Sequence, residues 1–181
     1  MKHLVTLLFL VFSIVGFSQS PGKEAKLAFY KLPNEGMPEL KVRMFTNMDT
    51  VKTKNVFKLA VSFDLMLNWY TYSKEDSEKN LPTTIDLNIP KGFEIIKEVW
   101  PTPLEVPGRK GGMDKVYKND FMVVYHIKAS KKKKSDATIT ANIEWQVCDP
   151  TICMAGEATI ETKIVVGNSN SVSILSSLLP E

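Results

Sequence analysis

Phe57, Leu59, Val61, Phe63, Leu65 and Leu67 alternate with Lys58, Ala60, Ser62, Asp64 and Met66. A period of two sustained over this length requires a β-strand with one buried face, because successive side chains of a strand point to opposite sides. The same rhythm recurs downstream. Ile85, Leu87 and Ile89 alternate with Asp86 and Asn88 before the turn signal Pro90-Lys91-Gly92. Phe121, Val123, Tyr125 and Ile127 alternate with Met122, Val124, His126 and Lys128, and Ile139 to Val147 alternates in the same way. Leu40 to Met44, Phe93 to Trp100 and Ala158 to Val166 are further strands, and no amphipathic helix of useful length precedes Ser171. About seven short strands with one-sided alternation predict an all-β chain, an immunoglobulin-like antiparallel β-sandwich. An open barrel is the alternative. Phe57, Leu59, Val61, Phe63, Ile143 and Trp145 are the expected core.

The 181 residues amount to one domain with accessories. Met1-Lys2-His3, an apolar run from Leu4 to Phe17 and the small residues of Gly16-Phe17-Ser18 read as a secretory signal peptide over 1–18. Residues 19–38 form a lead-in of mixed composition, 39–167 the sandwich, and 168–181 a tail with room for one short helix. The expected address is the periplasm, with no stable membrane insertion after signal cleavage. Two stretches break the strand rhythm: a charged loop, Ser73 to Asn80, and a long proline- and glycine-containing loop, Pro101 to Asn119. Long loops of this kind are often functional.

The net charge of +3 falls to +2 without Lys2, and much of it sits in Lys131-Lys132-Lys133-Lys134. Such a run reads as a patch for nucleic acid or an anionic membrane only if other basic residues join it. Lying between two strands, it is expected to be a solvated hairpin loop, and no nucleic-acid partner is expected.

Most chemistry is excluded by composition. Without His3 the chain keeps one histidine, His126, whose phase puts it on a polar strand face, and two cysteines. That is too few ligands for a structural zinc site, and no metal or cofactor is expected. No phosphate-binding glycine loop or serine-nucleophile motif is present. There remains Cys148-Asp149-Pro150-Thr151-Ile152-Cys153, in which Asp149-Pro150 signals a reversal that can bring the two sulfurs within bonding range. The phase of Ile139 to Val147 puts Cys148 on the outer side with Glu144 and Gln146, near solvent if the strand stays regular. One reading is a structural staple, common in exported domains. Against it, so short a loop gains only about 2 kcal/mol from chain entropy, and a full two-sheet core does not need one. The other reading is exchange with a partner thiolate. Trp69-Tyr70-Thr71-Tyr72 cannot all face the core of a strand, so these aromatics either fill the end of the sandwich or wall the cysteine pair.

In order and spacing, Trp69-Tyr70-Thr71-Tyr72-Ser73, Leu81-Pro82-Thr83-Thr84-Ile85, Gly92, Lys115-Val116-Tyr117 and the Cys148/Cys153 hairpin resemble the N-terminal periplasmic domain of the thiol:disulfide interchange protein DsbD, over roughly 56–164. The resemblance implies an immunoglobulin-like fold carrying electrons as a dithiol/disulfide pair. Cys153 would form the mixed disulfide and Cys148 would resolve it. Aromatics would cap the pair or bind the partner, with Tyr70, Tyr72 and Trp100 at the matching positions. The implied partners are thioredoxin-like redox proteins or a membrane electron conduit, and the implied activity, if enzymatic, is protein-disulfide reduction. Met154-Ala155-Gly156-Glu157 departs from the proline-rich stretch that often follows the second cysteine in the family. The competing function is a non-enzymatic envelope protein-binding sandwich with a structural disulfide. Nothing in the spacing supports a third idea, lipid or carbohydrate binding by the aromatics.

Overall fold

The structure, a computed structural model, describes residues 40–75, 80–108 and 111–180. The expected signal peptide and lead-in lie outside these residues, as do 76–79 of the charged loop. In chain order the strands are β1 (Lys41–Thr46), β2 (Met48–Lys52), β3 (Val56–Asp64), β4 (Tyr70–Tyr72), β5 (Thr84–Asn88) and β6 (Glu94–Val99). They continue with β7 (Leu104–Pro107), β8 (Met113–Lys118), β9 (Phe121–Lys128), β10 (Lys134–Cys148), β11 (Cys153–Gly167) and β12 (Ser171–Val172). A short 3-10 helix, Ile174–Leu178, follows, capped by the Ser173 hydroxyl, which accepts from the Leu175 N–H. Among the described residues no helix is long and apolar enough to cross a membrane.

Two sheets form. One has the order β1-β3-β9-β6; the other runs β12-β2-β11-β10-β4-β8-β7, with β5 added to the free edge of β10. Pairing is antiparallel except between β2 and β11, where Thr50 lies beside Val165 in a parallel ladder. The alternation dictates the arrangement: each sheet has one apolar face, and two such faces bury each other. Phe57, Leu59, Val61 and Phe63 of β3 meet Ile139, Ile143 and Trp145 of β10 in one core, all fully buried, as expected. Phe63 stacks on Phe121 with ring centres 4.5 Å apart.

Three sequence expectations change. First, the long loop after Pro101 contains a hairpin, β7–β8, with Leu104 beside Val116 and Pro107 beside Met113. The prolines masked it, but β7 is an edge strand, where a missing N–H is tolerated. Second, the lysine run is not a hairpin loop. β9 and β10 belong to different sheets, so Lys131–Lys133 cross from one to the other. Third, β2 went unread. The chain leaves the first sheet after β1 and enters the second at a corner held by Asn47, whose N–H donates to Lys58 O at 3.0 Å and whose side-chain oxygen accepts from Lys58 N at 2.7 Å.

β10 organises the end that carries the cysteines. It pairs with β11 along its whole length, ending at Cys148 beside Cys153. On its other edge it pairs first with β5 and then with β4, where Cys148 lies beside Tyr70. Gly156 lies opposite Trp145, and a Cβ there would stand 2.6 Å from the indole. The glycine in the Met154-Ala155-Gly156-Glu157 stretch thus makes room for the largest core side chain.

Candidate functional site: a disulfide under an aromatic cover

Cys148 and Cys153 are bonded, with Cα atoms 4.1 Å apart at the last rung of the β10–β11 ladder. The reversal is built by Asp149. Its Oδ1 accepts from the Thr151 N–H at 2.6 Å, the Thr151 hydroxyl at 2.7 Å and the Ile152 N–H at 2.7 Å. Its own N–H donates to Ile152 O at 3.0 Å, closing the loop. This is the local side-chain turn that an Asp-Pro pair favours. The neighbouring rung is hydrogen-bonded, so the cysteine rung is the non-bonded type, which brings opposite side chains closest.

Register decides what lies around the sulfurs. Cys148 is beside Tyr70 of β4, and Tyr70 is beside Lys118 of β8. These side chains share the outer face of the sheet, while Val147, Thr71 and Tyr117 share the inner one. On the outer face Tyr72, Val116 and Cys148 form a buried cluster, packed by Tyr70, Val106 and Cys153, each partly buried. Tyr70 and Tyr72 meet edge to face at 5.7 Å.

The phase of Cys148 was therefore legible, but its exposure was not. It faces outward as the alternation required, yet its exposure is 0%. The covering side chains come from β4, β8 and β7, and the last two were hidden in the supposed loop. Cys153 is only half-buried, so the two sulfurs differ in access.

The structure brings Tyr70 and Tyr72 to the pair and leaves Trp100 elsewhere. Trp100 stacks on Tyr117, ring centres 6.0 Å apart, and Tyr117 points inward. The Lys74 ammonium lies 4.9 Å over the Trp100 ring, and the indole N–H donates to Glu98. Trp100 follows β6 of the first sheet, so it enters from between the sheets, on the other face from the disulfide. The residue of β7 that reaches the cluster is Val106. Sequence reading missed it, and only the apolar pair Val106/Val116 flanking a glycine turn pointed to it.

A cleft opens beside the hairpin turn, lined by Leu67, Trp69, Tyr70, Lys118, Asp149 and Pro150. Asn68 and Asn119 complete it, both in the left-handed region at φ 70° and 61°, where asparagine is tolerated. Tyr70 lines this cleft and also packs on the disulfide cluster. Leu67 is 81% exposed at its mouth, and Ile152 is exposed on the turn.

The ionisable groups nearby are mostly structural. Lys115, bonded to Glu75 at 2.8 Å, holds that carboxyl below its usual range. Burial, reinforced by the Glu75 charge, pushes the Tyr117 hydroxyl up to about 12. His126 is held below its usual value by burial and by Lys58 and Lys97, its neighbours on the flanking strands. Among the described residues no three His, Cys, Asp or Glu side chains gather as a metal site.

The family model described as thiol:disulfide interchange protein DsbD, N-terminal, matches residues 40–164. The N-terminal periplasmic domain of ScsB from Proteus mirabilis superposes with a TM-score of 0.51 at 12% identity, over 82% of this chain. The chain spans about half, 53%, of that one. The reduced DsbD N-terminal domain of Neisseria meningitidis gives a TM-score of 0.41 at 13% identity, over 72% of this chain and 88% of that one. The GAE domain of GGA2p from Saccharomyces cerevisiae gives 0.42 at 10% identity, over 80% and 99%. None of the curated proteins matches the sequence.

Proposed function

The chain belongs to the family of the DsbD N-terminal domain, and from that membership we propose that it relays electrons through the Cys148/Cys153 pair to or from thioredoxin-like partners in the periplasm. It is a thiol–disulfide interchange domain with a bonded cysteine pair. The partner, the direction of flow and the residue roles are the proposal. So is the route by which it reaches the periplasm, a signal peptide over 1–18 preceding a domain over 39–167.

The observation that carries the roles is the difference in access. An incoming thiolate must approach a sulfur in line with the bond it breaks. Cys148 is sealed under Tyr72 and Val116, whereas Cys153 is only partly buried at the hairpin end. Reduction therefore begins with a partner thiolate attacking Sγ of Cys153. The Cys148–Cys153 bond breaks, Cys148 leaves as the thiolate and takes up a proton, and Cys153 is held in a mixed disulfide. The partner's second thiolate then attacks the partner sulfur of that bond and releases the Cys153 thiolate. Two electrons have entered the pair and the partner is left as a disulfide. Run the other way, the Cys153 thiolate attacks a client disulfide and Cys148 resolves the adduct. Tyr70 and Tyr72 cover the buried sulfur and limit attack by small thiols. Leu67, Trp69 and Ile152 give an approaching protein apolar contact.

Trapping tests the assignment. Cys148→Ser, expressed in the bacterial envelope and acid-quenched, should accumulate a reducible adduct through Cys153. Cys153→Ser should accumulate far less. Equal adducts from both variants would reject the roles. No adduct from either folded variant would return the pair to a structural staple in a protein-binding sandwich.

A further inference from the structure

The end of the sandwich opposite the disulfide is a basic pole. Lys131, Lys132 and Lys133 are exposed on the crossing from β9 to β10, with Lys134 at its end. Other turns bring lysines to the same place. The β2–β3 turn abuts it: Lys54 N–H donates to Ser130 O at 3.2 Å, and Ala129 N–H donates to Asn55 O at 2.8 Å. That turn carries Lys52 and Lys54, both exposed. The β5–β6 turn abuts it as well. The Lys134 ammonium donates to Lys91 O at 3.0 Å and lies 5.8 Å over the Phe93 ring. A Cβ on Gly92 would meet the Ser130 hydroxyl at 3.1 Å. Lys128 closes the group at the end of β9, beside Val56.

These segments hold eight lysines and two carboxylates, Glu94 and Asp136. Asp136 is engaged by Lys163 at 2.7 Å. The local excess of six positive charges is twice the +3 of the whole chain, so the remainder is net negative. The condition set by the sequence, that other basic residues must join the four-lysine run, is met by two separate turns and by Lys128 at the end of β9.

We infer that this pole docks the domain on a lipid surface bearing anionic phosphate headgroups. The tips, 52–55, 91–92 and 131–136, contain no apolar residue and no arginine. A protein partner is normally gripped by buried aromatic or arginine anchors, and arginine is the side chain suited to forked recognition of single carboxylates or phosphates. Lysines spread over several loop tips suit a diffuse negative plane, which attracts every charge within a Debye length. The strand β10 runs from Lys134 to Cys148, and a strand of that length spans roughly 45 Å. Docking by the basic pole therefore holds the disulfide outward, away from the lipid and towards soluble partners. This inference rests on the lysine geometry and is independent of the redox reading.

The test is flotation of the full chain with vesicles of phosphatidylcholine alone or with 30% phosphatidylglycerol. The readout is the ratio of anionic to neutral binding, so that any headgroup-independent association cancels. We expect a strong preference for anionic vesicles that falls at least tenfold between about 0.1 and 0.5 M salt. The triple variants K131Q/K132Q/K133Q and K52Q/K91Q/K128Q should each lose about a hundredfold of that preference, roughly fivefold per lysine. Both should keep the melting temperature of the unmodified chain and the Cys148–Cys153 bond. Equal binding to the two vesicle types, or an unchanged preference in both variants, overturns the inference. So does binding to polyglutamate without binding to vesicles, which would assign the pole to an acidic protein. If a variant fails to fold, the headgroup and salt series on the unmodified chain decides.

Discussion

Gly156→Ala is expected to destabilise the domain, and the structure sets both sign and size. Gly156 lies on a regular stretch of β11 across from Trp145. In such a place alanine ordinarily stabilises by about 0.4–1 kcal/mol, because it restricts the unfolded chain. Here the new methyl would lie 2.6 Å from Cε2 and 2.7 Å from Cζ2 and Nε1 of the indole, well inside the roughly 3.5 Å of a favourable carbon contact. Trp145 is fully buried in the main core, so its ring moves only at the expense of the side chains packed on it. Overpacking of this kind costs about 1–3 kcal/mol and exceeds the gain. The melting temperature should fall by roughly 3–10 °C. Thermal unfolding of the oxidised protein, followed by tryptophan fluorescence, measures it. Trp145→Phe shortens the clashing ring, so Gly156→Ala should cost less in that background, with a coupling of at least about 0.5 kcal/mol. An unchanged or raised melting temperature for the single variant, or strict additivity of the pair, would refute the packing argument.

Thr71 is fully buried and its hydroxyl has no hydrogen-bond partner among the described residues; Thr71→Val should raise stability by about 1 kcal/mol in urea unfolding, and a loss would mean the hydroxyl is satisfied. Val116→Ala removes cover from Cys148; in the reduced protein, alkylation of Cys148 should speed up severalfold with Cys153 unchanged, and an unchanged Cys148 rate would count against burial as the source of asymmetry. His126 has a lowered folded pKa, so the unfolded chain takes the proton first: stability is unaffected above about pH 6.5 and declines as pH falls from there through the folded value. The urea midpoint of His126→Gln should lack that component between pH 7 and 5, and identical pH profiles would show that His126 is not its origin.

The alternation of β3, β9 and β10 was sufficient for the core, because one buried face imposes period two wherever it occurs. It was insufficient for β4, β7 and β8, which are short and lie where both faces are occupied or where proline and glycine interrupt the pattern. The site inherited that gap. The phase of Cys148 follows from residues beside it in sequence, whereas its burial depends on Val106, Tyr72 and Val116, brought in from distant strands. Tyr70 and Tyr72 were legible as neighbours because aromatics at adjacent and alternate positions need somewhere to go. Trp100 was misplaced because its position depends on which sheet β6 joins, and no local pattern records that. The lysine run was visible at once, but its companions lie on the turns near 52 and 91 and at the end of β9, and assemble only when both sheets close.

The β10–β11 hairpin also separates the local from the distant part of the site. Its thirteen Cα pairs, from Lys134 beside Val166 to Cys148 beside Cys153, close around a four-residue turn and need no other part of the chain. A local hairpin forms in roughly microseconds. The parallel ladder that sets Thr50 beside Val165 must instead bring together opposite ends of the domain, and distant pairings of that kind are slow. The contact between the cysteines is thus local, whereas the cover that Tyr72 and Val116 give Cys148 depends on strands distant in sequence. On this ordering the disulfide is a product of local chain geometry, and its cover is a product of the closed sandwich.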